Sequence, residues 1–170
     1  MHRGWRTGAR PVLAVQTRVA EKIWKPHTTV AAVCERDGRY LLVRERIGRR
    51  EVYNQPAGHL EAGETLVQAV VRETLEETRY RFTPTALQGV YRYCPSVSTD
   101  KTYLRFLFRG KVGVRLEGDL DQGIIAAEWL SYDEIVNCRA QHRSPMVLQC
   151  IDDYRRNPGF SLDVISEDFA

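Results

Sequence analysis

The stretch Gly58–Thr78, GHLEAGETLVQAVVRETLEET, carries five glutamates (Glu61, Glu64, Glu73, Glu76 and Glu77) in a chain whose net charge is +3 at pH 7. Its first half, with Gly58, Gly63 and the preceding Pro56, reads as a shaped loop. From Thr65 to Thr78 there is no glycine or proline, so a helix is expected, capped by Thr65 or Glu64. Residues three and four apart share a helix face, which brings Glu73, Glu76 and Glu77 together. Val67, Val71 and Leu75 then lie nearly opposite, as the apolar face. An exposed acidic helix ordinarily interleaves lysines, yet none occurs between Arg50 and Lys101. Two carboxylates about 6 Å apart repel by roughly 2–3 kcal/mol at an effective dielectric of about 20. An exposed Arg72–Glu76 pair offsets only ~0.3–0.5 kcal/mol of that. The choice is between a solvated acidic face and a cation held among the carboxylates, and the energies favour the cation. Oxygen donors of this kind suit Mg²⁺, with Mn²⁺ as a substitute, better than zinc.

The rest of the chain limits what such a site serves. At 170 residues, 43% hydrophobic and 28% charged, it is sized for one domain with a core that needs no staples. A surplus of three positive charges is too small to point to a nucleic-acid polymer. No apolar run approaches the ~20 residues of a membrane span. Cys34, Cys94, Cys138 and Cys150 show no CxxC pairing, so reduced thiols in a cytoplasmic chain are expected rather than zinc or disulfides. Residues 1–24 stand apart: Arg3, Arg6, Arg10 and Arg18 precede the first acid, Glu21. A transit peptide is the alternative, but a flexible or peripheral basic arm is the expectation, leaving residues 25–170 as the folded domain.

Within that domain, residues 27–36 and 40–47 read as strands joined by the hairpin signal Asp37-Gly38. Further strands are expected at 87–94, 102–112 and 127–131. Ser131 and the Ser144-Pro145 pair read as helix starts. Strands interspersed with helices and hairpins indicate a mixed α/β domain, not a doubly wound parallel sheet.

Gly58, Glu64, Arg72, Glu73, Glu76 and Glu77 fall at the spacings of the Nudix box, and six matches at fixed offsets are a specific signal. The stretch departs from the box at Thr74, where an aliphatic is usual, and at Arg79, where a glycine ends the helix. Tyr53 stands where a tryptophan is common. KPHTTVAAV, NQPAGHLEAGETLV, TYLRFLF and RSPMVLQCIDDY extend the resemblance over about residues 25–169, towards the phosphatase branch of bacterial Nudix hydrolases typified by NudJ.

The resemblance implies an α/β/α sandwich and the hydrolysis of a diphosphate linked to another group, with water as nucleophile and divalent cations. It implies Glu73, Glu76, Glu77 and the Gly58 carbonyl as metal ligands, Arg72 as the residue orienting a glutamate, and Glu64 as an accessory group. Glu73 is the first choice of base, with Asp119 or Asp121 in a later loop as alternatives. Many relatives carry a glutamate seven residues before Trp129, where this chain has Gln122. Arg44 and Arg46 are candidates for substrate phosphates or for surface ion pairs. Tyr93, Tyr103 and Phe106 are candidates for stacking on a base or for core positions. His59 reads as a loop hydrogen-bonder, and His27 and His142 carry no motif. The implied substrates are small and phosphorylated: nucleoside tri- and diphosphates, or hydroxymethylpyrimidine and thiamin pyrophosphates, with orthophosphate released. The alternatives are an ADP-ribose or dinucleoside-polyphosphate pyrophosphatase and, from another class, a non-catalytic ligand sensor. A monomer is favoured.

Overall fold

The computed structural model describes residues 23–95 and 101–167; the basic arm and its targeting alternative fall outside these, Ile23 and Trp24 excepted. Strands β1 (His27–Arg36) and β2 (Arg39–Ile47) form the expected hairpin. Asp37 and Gly38 both have positive φ, 52° and 76°, the conformation that matches the right-handed twist of the flanking strands. Val30 to Cys34 are buried on both sides of β1, so this strand reads as a continuous apolar run instead of alternating.

Two sheets meet at the hairpin. Strand β3 (Arg50–Asn54) and β7 (Ile124–Ser131) flank β2, both antiparallel to it. Strand β4 (Ala57–His59) pairs antiparallel with one edge of β1, and β6 (Tyr103–Arg115) pairs parallel with the other. Strand β5 (Tyr80–Tyr93) closes the row against β6. The sheet is therefore mixed, and the three helices, α1 (Leu66–Thr78), α2 (Tyr132–Asn137) and α3 (Met146–Arg156), complete a single Nudix-type α/β/α domain. One apolar cluster joins Val30, Ala32, Cys34, Leu41 and Phe108 to Ala69 and Val70 of α1. The other joins Ala31, Val33, Tyr40, Leu42 and Leu107 to Val147, Cys150 and Ile151 of α3.

Several elements differ from the sequence expectation. Strand β4 lies inside the stretch read as loop, because three residues pairing with β1 leave no period to detect. Strand β5 starts seven residues earlier than expected: Pro84 interrupts the strand pattern, and the ladder accommodates it with register shifts on an edge strand, where a missing N–H is tolerated. Helix α3 has no side-chain cap from Ser144; the Ser144 carbonyl instead accepts from the Val147 N–H at 3.2 Å.

Helix α1 begins at Thr65. The Thr65 hydroxyl accepts from the Gln68 N–H (3.1 Å), and Gln68 Oε1 accepts from the Thr65 N–H (2.8 Å), a reciprocal capping box. Its buried face is not Val67, Val71 and Leu75. Ala69, Val70, Thr74, Glu77 and Thr78 are the buried positions, while the other three are half-buried. The helix is covered over a wider arc than one stripe, so Glu77, seven residues after Val70, belongs to the inward side. Thr74 fits where an aliphatic is usual because its hydroxyl donates to the Val70 carbonyl at 2.7 Å.

The helix ends at Arg79 in the left-handed region (φ 62°), with its N–H donating to the Leu75 carbonyl at 2.8 Å. A non-glycine residue there costs about 1–2 kcal/mol. The Arg79 guanidinium offsets part of this by donating to the Glu117 carbonyl at 3.1 Å, tying the helix end to the next loop. Arg79→Gly relieves the strain, loses that hydrogen bond (~1 kcal/mol) and loosens the unfolded chain. Urea unfolding should therefore show a net change within about 1 kcal/mol, with turnover near wild type. A collapse in turnover at unchanged stability would mean that Arg79 touches substrate.

Candidate active site

Arg72 is the hub of the box. Its Nε and Nη2 form a fork on Glu64 at 3.0 and 2.6 Å, Nη1 donates to Glu73 (2.8 Å) and Glu76 (3.0 Å), and Nη2 also donates to the His59 carbonyl (3.1 Å). A guanidinium alone can present this many donors in fixed directions. The pairing holds the Glu64 carboxyl below the usual carboxylate range, and the Glu61 N–H adds a further bond at 2.8 Å. Glu61 itself points to solvent.

The three helix glutamates have different surroundings. Glu76 is half-exposed and Glu73 largely covered, with side-chain exposures of 45% and 12%. Burial raises Glu73 above the ordinary range, opposed by Arg72 and reinforced by the nearby charges of Glu76 and Asp121. Glu77 is buried and accepts one hydrogen bond, from the Ala57 N–H at 2.8 Å. Its burial, with Glu73 and Glu45 adding to it, pushes its carboxyl up to about 8. Gly58 faces Glu73: a Cβ there would overlap the carboxylate, so any side chain would displace it.

Among the described residues no three acids, histidines or cysteines are placed to enclose a metal ion, but the chemistry of the donor set suits a divalent cation. Glu77 is a buried carboxylate with one donor and two carboxylate neighbours, opposed by the charge of Arg143, a combination that a further positive charge nearby would stabilise as an anion. The donors are all oxygens, and the close approach of Gly58 brings backbone to the same place.

The later loop comes to the same end of α1. The Asp121 N–H donates to the Glu76 carbonyl at 3.0 Å, which brings Asp121 near Glu73. Asp119 and Gln122 are exposed. Arg44 and Arg46 are engaged by acids: Arg44 with Glu128 (2.8 Å) and Glu51 (3.0 Å), Arg46 with Glu51 (3.2 Å). Tyr53 donates to Glu128 at 3.0 Å from the opposite side.

Beside the box loop lies a cavity of about 330 Å³ lined by Gly58, His59, Thr29, Asn54, Tyr103, Arg105 and Arg143 among others. Tyr93 and Tyr103 both line it, whereas Phe106 packs in the core on the α1 side. His59 contributes its carbonyl to Arg72; its ring lies 5.8 Å from that of His27, and His27 stacks on Tyr103 at 5.3 Å. His142 bonds the Ile135 carbonyl away from the box. Thr29, Asn54, Arg105 and Arg143 were not among the residues picked out by sequence. A signal existed for Arg105, which is in phase with buried Leu107, and for Glu45, in phase with buried Val43.

The model of the NUDIX domain matches residues 25–150. Phosphatase NudJ of Escherichia coli strain K12 is 38% identical over 151 residues, covering 85% of this chain and 94% of that protein. A NUDIX hydrolase from Nitrosomonas europaea shares 49% identity and the fold at a TM-score of 0.79, over 84% of this chain and 97% of that one. At 20% identity and a TM-score of 0.66, the bifunctional NMN adenylyltransferase/ADP ribose pyrophosphatase of Francisella tularensis, complexed with AMP and a manganese ion, shares the fold over 79% of this chain and 42% of its own. Among the described residues no helix is long and apolar enough to cross a membrane. The chain belongs to the Nudix family, whose members act on small phosphorylated substrates and generally use divalent metals, and is a Nudix hydrolase acting on phosphoric anhydrides, similar to phosphatase NudJ.

Proposed function

We propose that the chain is a Mg²⁺-dependent hydrolase of small diphosphates that releases orthophosphate, with Mn²⁺ able to substitute. Its substrates are nucleoside tri- or diphosphates, or pyrimidine pyrophosphates such as those of hydroxymethylpyrimidine or thiamin. The observation that carries this reading is that Glu73 lies against Gly58, the box position whose missing side chain leaves it room, while buried Glu77 takes the adjoining Ala57 N–H and Glu76 shares Arg72 with Glu73. When bound there, a divalent cation supplies neutralisation of phosphate charge and makes water a stronger acid.

The chain's own residues divide the remaining work. Glu73, Glu76, Glu77 and the Gly58 carbonyl are the proposed ligands. Arg72 holds Glu73 by one oxygen, Oε1, leaving Oε2 to receive a proton from the attacking water. The fork on Glu64 fixes the box loop against the helix, so that Glu64 assists as an orienting group. Asp121 is the alternative base, being the loop acid brought near Glu73. Arg44 and Arg46 reach substrate phosphates only by exchanging Glu51 and Glu128 for them, which makes them weaker phosphate contacts than cations lining the cavity.

Excess EDTA should abolish turnover across a panel of these substrates, and Mg²⁺ or Mn²⁺ should restore it with orthophosphate as the released product. Release of pyrophosphate would shift the reading to an internal-bond pyrophosphatase, and full turnover in EDTA would sink the metal site. Glu77→Gln separates a ligand from a buried acid of no function. It removes a charge that is costly to bury, so stability should stay level or rise slightly, while turnover at saturating Mg²⁺ falls ~10²–10³-fold, about 3–4 kcal/mol. Glu61→Gln, on the exposed side of the same loop, should cost little. Equal turnover for the two variants would return Glu77 to a structural role.

A further inference from the structure

After α3 the chain crosses from one side of the sheet to the other. Residues 157–167 leave the face that α3 covers, pass along the outer edge of β5 and reach the first turn of α1 on the opposite face. Arg109 Nη1 donates to the Asn157 carbonyl at 2.7 Å where this path begins. Phe160 then pairs antiparallel with Leu87 through two backbone hydrogen bonds, 2.8 and 2.9 Å. Gly159 permits the approach: its φ is +81°, and a Cβ there would stand 2.9 Å from the Leu87 carbonyl oxygen. Ser161 caps a single turn, Leu162–Val164, by accepting from the Asp163 N–H at 3.3 Å. Leu162 and Ile165 pack against the cluster that contains Ala69 and Val70 of α1. Finally, Glu167 Oε1 accepts from the Leu66 N–H at 2.7 Å.

General burial does not hold this segment. Phe160 and Val164 remain 61% and 59% exposed, so the path depends on the backbone bridge, two apolar contacts and one charge-assisted hydrogen bond. The place where it ends is the joint between the box loop and the box helix. Glu64 takes the Arg72 fork, Thr65 closes the capping box with Gln68, and the next residue, Leu66, bonds Glu167. The Leu66 N–H is one of the donors that a helix start leaves unsatisfied, and α1 has no acid in its own first turn. Glu167 supplies both the acceptor and the negative charge.

The Glu64 and Thr65 bonds tie the joint only to other parts of the box. Among the described residues, Glu167 is the group outside the box that hydrogen-bonds residues 64–66. We infer that residues 157–167 form a strap that fixes the loop–helix joint from outside, with Glu167 as its positioning residue. Glu167 acts through Leu66 on the neighbouring Glu64–Arg72 fork, and through Arg72 on the carboxylates of Glu73 and Glu76. The segment that follows the last helix is thereby part of what aims the box.

The inference rests on the hydrolase reading for what the box does, and its test reads the joint both without and with metal. Three variants of the full chain are compared with wild type. Glu167→Ala removes the acceptor, Glu167→Gln keeps an acceptor of the same reach without the charge, and Gly159→Val unseats the strap while leaving Glu167 in place. In the metal-free chain, NMR follows solvent exchange of the Arg72 Nε–H, which the bond to Glu64 protects. Calorimetry then gives the Mg²⁺ affinity. Glu167→Ala should speed the exchange at least about threefold, because the fork opens more often. It should weaken Mg²⁺ about three- to tenfold, less than losing a partner that touches a metal ligand directly (about 10–100-fold). Gly159→Val should do the same, and combining the two should add little, since both break one path. Glu167→Gln should stay within about twofold of wild type in both readouts, because it keeps the hydrogen bond. A lower unfolding temperature in Glu167→Ala with exchange and Mg²⁺ affinity unchanged would reduce the strap to a stabilising contact and overturn the inference. Equal losses in Glu167→Gln and Glu167→Ala would also overturn it, by tracing the effect to net charge near the carboxylates. A wild-type chain that binds no Mg²⁺ would sink the metal reading alone, and the Arg72 exchange would still decide the strap.

Discussion

Arg72 ties the two halves of the box into one object. Its guanidinium bonds Glu64 and the His59 carbonyl on the loop side and Glu73 and Glu76 on the helix side. Without it, three carboxylates within a few ångströms would repel, and the loop would have no fixed relation to the helix. A lysine would restore charge but not direction, because a single ammonium cannot hold a fork on Glu64 while reaching two further acids. The loop end is fixed independently by the pairing of Gly58 with Val30 in β1, and the helix end by the capping box at Thr65. Arg72 therefore closes a frame whose two ends are already anchored, so its hydrogen bonds need order few additional groups.

The acids form two layers with different energetics. Glu64, Glu73 and Glu76 are answered by Arg72, and their pairing is satisfied within the protein. Glu77 is not: it sits on the buried side of α1, behind Ala57, with Glu45 as its inner neighbour. A fold selected for stability alone would place an apolar residue there, since replacing buried charge by well-packed apolar groups is commonly neutral or stabilising. The inward turn of Glu77 is a cost in the isolated chain that a divalent cation, bound as proposed, would remove. On that proposal metal affinity and folding would be linked at this one residue.

The box was legible from sequence because its signal is local: six residues at fixed offsets, a glycine-free run and a missing complement of lysines. The hairpin at Asp37-Gly38 and the caps at Thr65 and Ser131 were legible for the same reason, each being a short-range rule. What was not legible depends on distant packing. Strand β4 is only three residues long, and Pro84 masked the start of β5. The wide burial of α1, which turns Glu77 inward, is set by strands far away in the chain. Sequence left Arg44 and Arg46 open between substrate phosphates and surface ion pairs, and only the fold brings Glu51 of β3 and Glu128 of β7 beside them. Arg105 and Asn54 lack any motif, Arg105 offering only its phase with buried Leu107, and the two meet only because β6 and β3 place them at one cavity.

The core and the cavity obey the same register. In β1 the even residues Val30, Ala32 and Cys34 pack towards α1, and the odd residues Ala31 and Val33 pack towards α3. Strand β6 repeats this with Phe106 and Phe108 on one side and Leu107 on the other. Thr29 and Arg105 continue the odd, α3-facing series past the point where α3 covers it, and so open into the cavity. A slip of one residue between β1 and β6 would send every β6 side chain to the opposite face. Arg105 would then point into the apolar cluster under α1, where no acceptor exists, and Phe106 would occupy the cavity. The hydrophobic packing that selects the register is thus also what aims the guanidinium into the cavity, with no separate device to orient it.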